Sequence, residues 1–92
     1  MKITLSERFQ TEAEALSSDK QDLLLPVVLV IPDAFRDPSK HSGLGLRKIH
    51  ARGIWEVRLN LGLRIVFALE HGEIALLRIA DHDEVRKFLK TL

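Results

Sequence analysis

Residues 53–82 constrain the fold most strongly, because they contain three short apolar runs separated by two tight-turn signals. The turn signals are Asn60-Leu61-Gly62 and His71-Gly72, and the runs are rich in Ile, Val, Leu, Phe and Trp. This pattern is typical of a three-stranded antiparallel meander, which we predict at about residues 54–60, 63–70 and 73–80. A meander this short needs a cover, so helices are expected on one of its faces.

The remaining segments supply that cover and one more strand. Residues 2–9 alternate between apolar and polar side chains, as a half-buried strand does. A short helix is expected to end near residue 17, and the dense apolar run that follows predicts a helix at about residues 18–36. A buried strand is the alternative for this run, although no strand turn follows it. Pro26 and Pro32 lie inside the predicted helix, so we expect a bend or break near one of them.

The predicted fold class is therefore α+β, with one domain over residues 1–92. It consists of a small antiparallel sheet, formed by the N-terminal strand and the meander, with two helices packed on one face. The charge order of residues 83–92, acids first and Lys or Arg later, predicts a short C-terminal helix.

Composition excludes several classes of protein. The chain has 92 residues, enough for a single core but too few to enclose a deep substrate cavity. It has no cysteine, and therefore neither a disulfide framework nor a thiolate metal site. We expect neither a signal peptide nor a membrane span, and the cytoplasm is the expected location. The four histidines lack the paired short spacing of metal ligands, so no metal ion or other cofactor is expected.

The net charge of +1 conceals an uneven distribution along the chain. Residues 1–35 carry three Lys or Arg against six Asp or Glu, a balance of −3. Residues 36–64 carry seven against two, a balance of +5, and residues 65–92 carry four against five. A basic segment that leads into a sheet suggests an anionic partner, with phosphate first. The alternative is ordinary solvated surface charge.

Alternation along the predicted strands indicates where an anion would bind. Trp55, Val57 and Leu59 share one side of the first strand, which we assign to the core. In the third strand, strict alternation places Arg78 on the same side of the strand as Ile74 and Leu76. The second face of the sheet is expected to be partly open, with Arg58, Arg64, Arg78 and His82 scattered among small or apolar residues.

The order of strand, two helices, basic connector and meander resembles the RelE/ParE superfamily of toxins from toxin–antitoxin modules. The most specific segments are Gly43-Leu-Gly-Leu-Arg-Lys-Ile49, Arg52-Gly-Ile-Trp-Glu-Val-Arg58, Leu63-Arg-Ile-Val-Phe67 and His82-Asp-Glu-Val85. In the RelE branch, the resemblance implies an endoribonuclease that cleaves ribosome-bound messenger RNA and is neutralised by a cognate antitoxin in a hetero-oligomer. The alternative is a ParE-type inhibitor of DNA gyrase, or a catalytically inactive protein-binding module.

The resemblance also implies roles for individual residues. Arg64 matches a recurrent phosphate-contacting arginine, Arg58 matches a position that is often basic, and His82 matches a histidine that some relatives use as acid or base.

Cleavage of RNA without a metal ion requires a base for the 2′-hydroxyl, cations around the phosphorane and an acid for the 5′-oxygen. An imidazole can serve as acid or base, and guanidinium groups can clamp a phosphate. Each role has a structural alternative, since the arginines can form cross-strand ion pairs and the histidine can flank the last helix. The candidate catalytic residues are Arg64, His82, Arg58 and Arg78, the candidate RNA-binding residues are Arg47, Lys48, His50 and Arg52, and Glu56 is either a second base or an orienting group.

Overall fold

The computed structural model describes all 92 residues and confirms the predicted α+β class. The five strands form one sheet in the order β1-β5-β4-β3-β2, and two short 3-10 turns over Pro38–Leu44 link the helical and strand-rich halves. The strands are β1 (Ile3–Leu5), β2 (Arg47–His50), β3 (Ile54–Arg58), β4 (Arg64–Glu70) and β5 (Glu73–Ala80), and the helices are α1 (Glu7–Glu14), α2 (Ser18–Arg36) and α3 (His82–Leu89).

The meander β3-β4-β5 lies in the middle of the sheet and is flanked by two further strands. Part of the basic segment ahead of the meander forms the edge strand β2, which pairs antiparallel with β3. At the opposite edge, β1 pairs with β5 in parallel, so the expectation that the N-terminal strand is antiparallel was wrong. The strand is also shorter than residues 2–9, because α1 begins at Glu7 with Ser6 as its cap. No hairpin joins β1 to its neighbour, since α1 and α2 follow it and carry the chain to the other edge of the sheet. The three central strands therefore match the prediction, and the sheet gains one strand from the basic segment.

Two of the turns depend on backbone conformations that favour glycine. His71 (φ 52°) and Gly72 (φ 74°) both have positive φ, which suits the right-handed twist of the hairpin between β4 and β5. Gly53 (φ 79°) precedes β3, and a Cβ atom there would lie 3.0 Å from the carbonyl oxygen of Leu69. The start of the meander is thereby fixed against β4.

Helices α1 and α2 cover one face of the sheet and form the larger core with it. Phe35 of α2 makes edge-to-face contacts with Trp55 and Phe67, with ring centroids 4.9 and 6.1 Å apart. Full burial of an aliphatic or aromatic side chain contributes about 1.5–3 kcal/mol, so this face supplies most of the stability. The buried residues of this core are Phe9, Val28, Ile31, Val57, Leu59, Ile65, Phe67, Ile74, Leu76 and Ile79.

Helix α2 runs unbroken from Ser18 to Arg36, so the predicted break at a proline does not occur. Pro26 is exposed and Pro32 is only partly buried. The carbonyl group that loses its helical donor to Pro26 belongs to Asp22, which is exposed, so it can bind water and the cost of that proline is reduced. None of the helices combines the length and hydropathy that a membrane crossing demands.

A bulge in β5 corrects the strict alternation expected for that strand. Arg78 lies opposite Val66 and Leu76 lies opposite Phe67, so Leu77 is an extra residue in β5. Ile79 consequently joins Leu76 in the larger core, while Arg78 and Ala80 face the other side. The bulge thus places Arg78 on the face that carries Arg58, as expected, although Ile74 and Leu76, which have the same parity in the sequence, face the larger core.

Helix α3 covers part of that second face, which was expected to be partly open. Val85 of α3 packs with Ile54, Val66 and Ala80 in a smaller buried cluster. The helix begins with a capping box, in which Asp81 accepts a hydrogen bond from the Glu84 amide and the Glu84 carboxylate accepts one from the Asp81 amide. Such a cap contributes about 1 kcal/mol and fixes the direction of the helix.

A hydrogen bond between Asp33 and His41 attaches the 3-10 segment to α2. His41 Nε2 lies 2.7 Å from Asp33 Oδ2. This contact, supported by the charges of Arg36, His41 and Lys40, lowers the pKa of the Asp33 carboxyl below its usual value. The interaction therefore stabilises the fold above that usual value and is lost as the pH falls and the carboxyl takes up a proton.

We predict that Asp33→Asn reduces the free energy of unfolding at pH 6, and that the difference from the parent narrows between about pH 5 and pH 3. The reason is that the parent loses its ionic contact over this range, whereas the variant has none to lose. Urea denaturation of both proteins at several pH values measures the difference. A difference that stays constant or grows toward acid would contradict the assignment.

Candidate nucleic-acid interface

Strand register places four of the predicted site residues together on the second face of the sheet. Arg58 of β3 lies directly opposite Arg64 of β4, and Arg47 of β2 lies directly opposite Glu56 of β3. Like charges in direct cross-strand register repel each other. The two facing arginines therefore mark a place where positive charge is concentrated at the expense of sheet stability.

The buried carboxylate of Glu56 lies between two of these arginines. Its side chain is only 7% exposed, and it accepts a hydrogen bond of 2.9 Å from Arg47 Nε. Arg64 Nε lies 3.8 Å from the same carboxylate oxygen, within range of an ion pair. Arg64 also donates through Nη1 to the carbonyl oxygen of Asn60 at 3.5 Å. Glu56 is thus placed to orient both guanidinium groups, which favours the orienting role over that of a second base.

A concavity of about 290 Å³ lies above this group of charges. Its lining contains three arginines and one glutamate, which gives a balance of +2 with the histidine neutral. Gly45 forms part of the wall in a left-handed conformation (φ 69°), close to the Arg58 side chain. We call this concavity the arginine cleft; it is lined by Gly45, Leu46, Arg47, Glu56, Arg58, Arg64 and His82.

His82 contributes the imidazole of the arginine cleft from the first residue of α3. Asp81 is the residue that caps the helix, so the His82 side chain is not needed for the cap and is exposed. His82 is therefore the first residue of the helix and not its cap. The structure brings Arg58, Arg64 and His82 to one cleft, together with Arg47 and Glu56.

A second concavity of about 280 Å³ adjoins the arginine cleft and shares Arg47, Glu56 and His82 with it. It adds two cations, Lys48 of β2 and Arg86 of α3. Arg86 was not among the predicted site residues. The sequence could have indicated Arg86 through its position four residues after His82, since residues at that spacing lie on the same side of a helix.

Two of the predicted RNA-binding residues lie away from both concavities. His50 is the last residue of β2 and Arg52 lies in the turn that follows, and the His50 ring nitrogen Nδ1 accepts a hydrogen bond from the Arg52 amide at 3.1 Å. Neither residue lines the arginine cleft or the adjoining concavity. Their positive charge can act on a bound polyanion only from the edge of the sheet.

Arg78 is held in a structural ion pair and is not brought into the arginine cleft. Its side chain is 7% exposed, and it donates from both Nε and Nη2 to the carboxylate of Glu12 at 2.8–3.0 Å. Glu12 also accepts a hydrogen bond from the Ile79 amide. The hydrogen bonds to Glu12 raise the pKa of the Arg78 guanidinium. Arg78 thus attaches α1 to β5.

The arrangement in the arginine cleft suits the binding of one phosphate group. Guanidinium groups bind phosphate oxygens through paired hydrogen bonds, and an imidazole can exchange a proton near neutral pH. No group of three or more His, Asp or Glu side chains is arranged to hold a metal ion. Arg47, Arg58 and His82 are exposed at the cleft, so an extended polymer can reach these side chains from the solvent.

The chain matches no family model, and no curated protein is similar to it in sequence at a significant level. Solved structures do match it. A metal-bound toxin from Helicobacter pylori is 18% identical, with 92% of this chain and 98% of that chain covered and a TM-score of 0.66.

Two toxin–antitoxin complexes are similar to a comparable extent. The RelB-RelE antitoxin-toxin complex from Methanococcus jannaschii contains a chain that is 13% identical, with coverage of 92% and 96% and a TM-score of 0.63. The heterotetrameric YoeB-YefM toxin–antitoxin complex from Staphylococcus aureus contains one that is 16% identical, with coverage of 89% and 97% and a TM-score of 0.62. At these identities, the comparisons establish a shared fold over almost the whole chain.

We predict that Glu12→Ala reduces the free energy of unfolding by about 3 kcal/mol, because it removes the hydrogen-bond acceptor of the buried Arg78 guanidinium and leaves only the more distant carboxylate of Glu84, at 3.7 Å. The double variant Glu12→Leu, Arg78→Met should recover much of this loss, because apolar side chains of similar volume replace the pair. Chemical denaturation measures both effects. Arg8→Ala is the control, since Arg8 is 67% exposed and 3.9 Å from Glu12. A neutral Glu12→Ala would show that Arg78 has no such structural role.

Proposed function

We propose, from the fold that this chain shares with RelE- and YoeB-type toxins, that it is an endoribonuclease toxin of a toxin–antitoxin module. Its proposed substrate is messenger RNA on the ribosome, and its proposed inhibitor is a cognate antitoxin protein bound in a hetero-oligomer. The partner is inferred from the RelB-RelE and YoeB-YefM complexes, each of which joins a chain of this fold to an antitoxin. Cleavage would inhibit translation.

The observation that carries the proposal is the convergence of Arg58, Arg64 and His82 at the arginine cleft. A fold can carry many functions, so the activity must be inferred from the site. Three guanidinium groups and one imidazole around a single cleft can supply charge stabilisation and proton transfer at the same place. The sequence motifs that resemble the superfamily contribute these same residues, and a purely structural ion-pair network would not require the exposed histidine.

In the proposed reaction, the 2′-oxygen of the RNA attacks the adjacent phosphorus while its proton passes to a base. Arg58 and Arg64 stabilise the dianionic phosphorane, because charge that develops in the transition state gains most from preorganised donors. The bond from phosphorus to the 5′-oxygen then breaks, and that oxygen takes up a proton. His82 performs one of these two proton transfers, and the products are a 2′,3′-cyclic phosphate and a 5′-hydroxyl end.

Expression of the chain without an antitoxin is expected to arrest growth, and Arg64→Ala combined with His82→Ala should relieve that arrest. With purified ribosomes and messenger RNA, each single variant should lower the cleavage rate about 100-fold or more. Arg64→Lys should recover only part of it, because lysine offers a single point charge. Arg8→Ala, at an exposed position outside the cleft, is the control.

The same experiments separate the proposal from its main alternative. Protein synthesis and DNA supercoiling are measured in parallel in cells that express the chain, and the cleaved ends are mapped on the messenger RNA. A ParE-type inhibitor would disturb supercoiling and leave messenger RNA intact. A double variant as toxic as the parent would show that Arg64 and His82 are not the catalytic groups.

Glu56→Gln separates an orienting role from a catalytic one at this position. If Glu56 orients Arg47 and Arg64, the glutamine oxygen can still accept the hydrogen bond from Arg47, and we expect the cleavage rate to fall no more than about tenfold. A general base would lose about 100-fold or more in the same variant. Glu56→Ala should lose more than Glu56→Gln, because both guanidinium groups are then free to move. Equal and large losses in the two variants would contradict the orienting role.

A further inference from the structure

The outer side of α2 carries an apolar stripe that the rest of the chain does not cover. Leu25 and Leu29 are 64% and 61% exposed, although leucines on a helix normally face the core. Leu25 also forms part of a neighbouring apolar groove of about 220 Å³, which includes Leu5 of the edge strand β1. An exposed apolar surface of this kind indicates an interaction site.

The charges at the two ends of this stripe are arranged symmetrically about Leu29. Asp22 lies seven positions before Leu29 and Arg36 lies seven positions after it. Seven residues are close to two helical turns, so all three side chains lie on nearly the same side of α2, each charge about 10 Å from Leu29. Two copies of this stripe placed antiparallel would therefore bring each Asp22 to the Arg36 of the other copy.

We propose that the stripe binds a second copy of this chain, with the two α2 helices antiparallel and a two-fold axis at Leu29. Leu29 of each copy then contacts Leu29 of the other, and Leu25 faces Asp33 of the second copy, where its methyl groups contact the methylene part of that side chain and the neighbouring Pro32. Asp22 pairs with Arg36 at both ends of the interface. An isologous contact of this type is self-complementary and closed, so it produces a dimer and no larger assembly.

Both charges are available for pairing between copies. Asp22 is exposed and makes no ion pair within its own chain. The Arg36 side chain is 75% exposed, and its one ion pair is with Asp33, three residues earlier in the same helix, at 3.2 Å. A partner of unrelated sequence would not require opposite charges at equal distances from a central leucine. The symmetry therefore favours a second copy over another protein segment.

The proposed dimer leaves the arginine cleft accessible. Helix α2 packs on the sheet face that holds the larger core, whereas the cleft and α3 lie on the opposite face. The dimer is consequently independent of the proposed ribonuclease activity, and its failure would not affect that activity.

The first test measures the mass of the purified chain by light scattering and sedimentation. The protein concentration is varied over about 10–200 µM, a range that spans the dissociation constants of weak dimers. We expect a dimer for the parent and a monomer for Leu29→Glu, which places two like charges at the axis. Leu61→Glu is the matched control, because Leu61 is 95% exposed on the turn between β3 and β4 and should leave the dimer unchanged. Circular dichroism verifies that each variant is folded.

The second test uses charge reversal and does not depend on Leu29. Asp22→Arg alone and Arg36→Asp alone should each weaken dimerisation about tenfold, because each creates two like-charge contacts. An equimolar mixture of the two variants should form a heterodimer at least as tight as the parent dimer. The double variant Asp22→Arg, Arg36→Asp should dimerise as the parent does.

Three results would overturn the proposal. The parent could be monomeric throughout the concentration range, Leu29→Glu could remain dimeric, or the mixed charge variants could associate no better than each does alone. A parent that is monomeric, but whose Leu25 and Leu29 become protected from solvent when an antitoxin is added, would assign the stripe to the antitoxin and reject the dimer.

Discussion

The candidate site depends on one interaction, the burial of the Glu56 carboxylate beneath the arginines of the second sheet face. A buried carboxylate without a partner would be strongly destabilising, so Arg47 and Arg64 are held where they compensate it. Three cations and one anion then leave an excess of positive charge in the arginine cleft. The cleft is thus preorganised for an anion, and Arg58, which does not contact Glu56, is free to take part in binding.

Arg78, the buried residue of opposite charge on the same sheet face, has a different role. Glu56, Val66 and Arg78 lie side by side on β3, β4 and β5, but Arg78 is neutralised by Glu12 of α1. One charged residue in this row therefore organises a surface for a ligand, while the other attaches a helix to the sheet. The difference lies in how far the paired arginines are exposed to solvent. The side chains of Arg47 and Arg64 are 65% and 21% exposed, whereas that of Arg78, paired with Glu12, is 7% exposed.

Local patterns in the sequence predicted the meander, the fold class and the common sheet face of Arg58 and Arg64, whereas the role given to His82 rested on the resemblance to the toxin superfamily. Alternation and turn residues determine these features within a few positions, and cross-strand register follows from them. The pairing of Arg78 with Glu12 could not be predicted, because the two residues are 66 positions apart and the bulge at Leu77 reverses the parity of Arg78. Strand β2 was missed because Arg47-Lys48-Ile49-His50 contains a single apolar residue and depends on β3 for its conformation.

The most direct test of the central claim is a titration of the protein with a short oligoribonucleotide that carries one 2′-deoxy nucleotide to prevent cleavage, observed by NMR of the side chains. The claim predicts that the Nε–H signals of Arg47, Arg58 and Arg64 and the imidazole signals of His82 shift together, along one binding curve. The signal of Arg78 should remain nearly unchanged. Shifts confined to other residues, or separate binding curves for Arg58 and Arg64, would contradict the claim that these side chains hold a single phosphodiester.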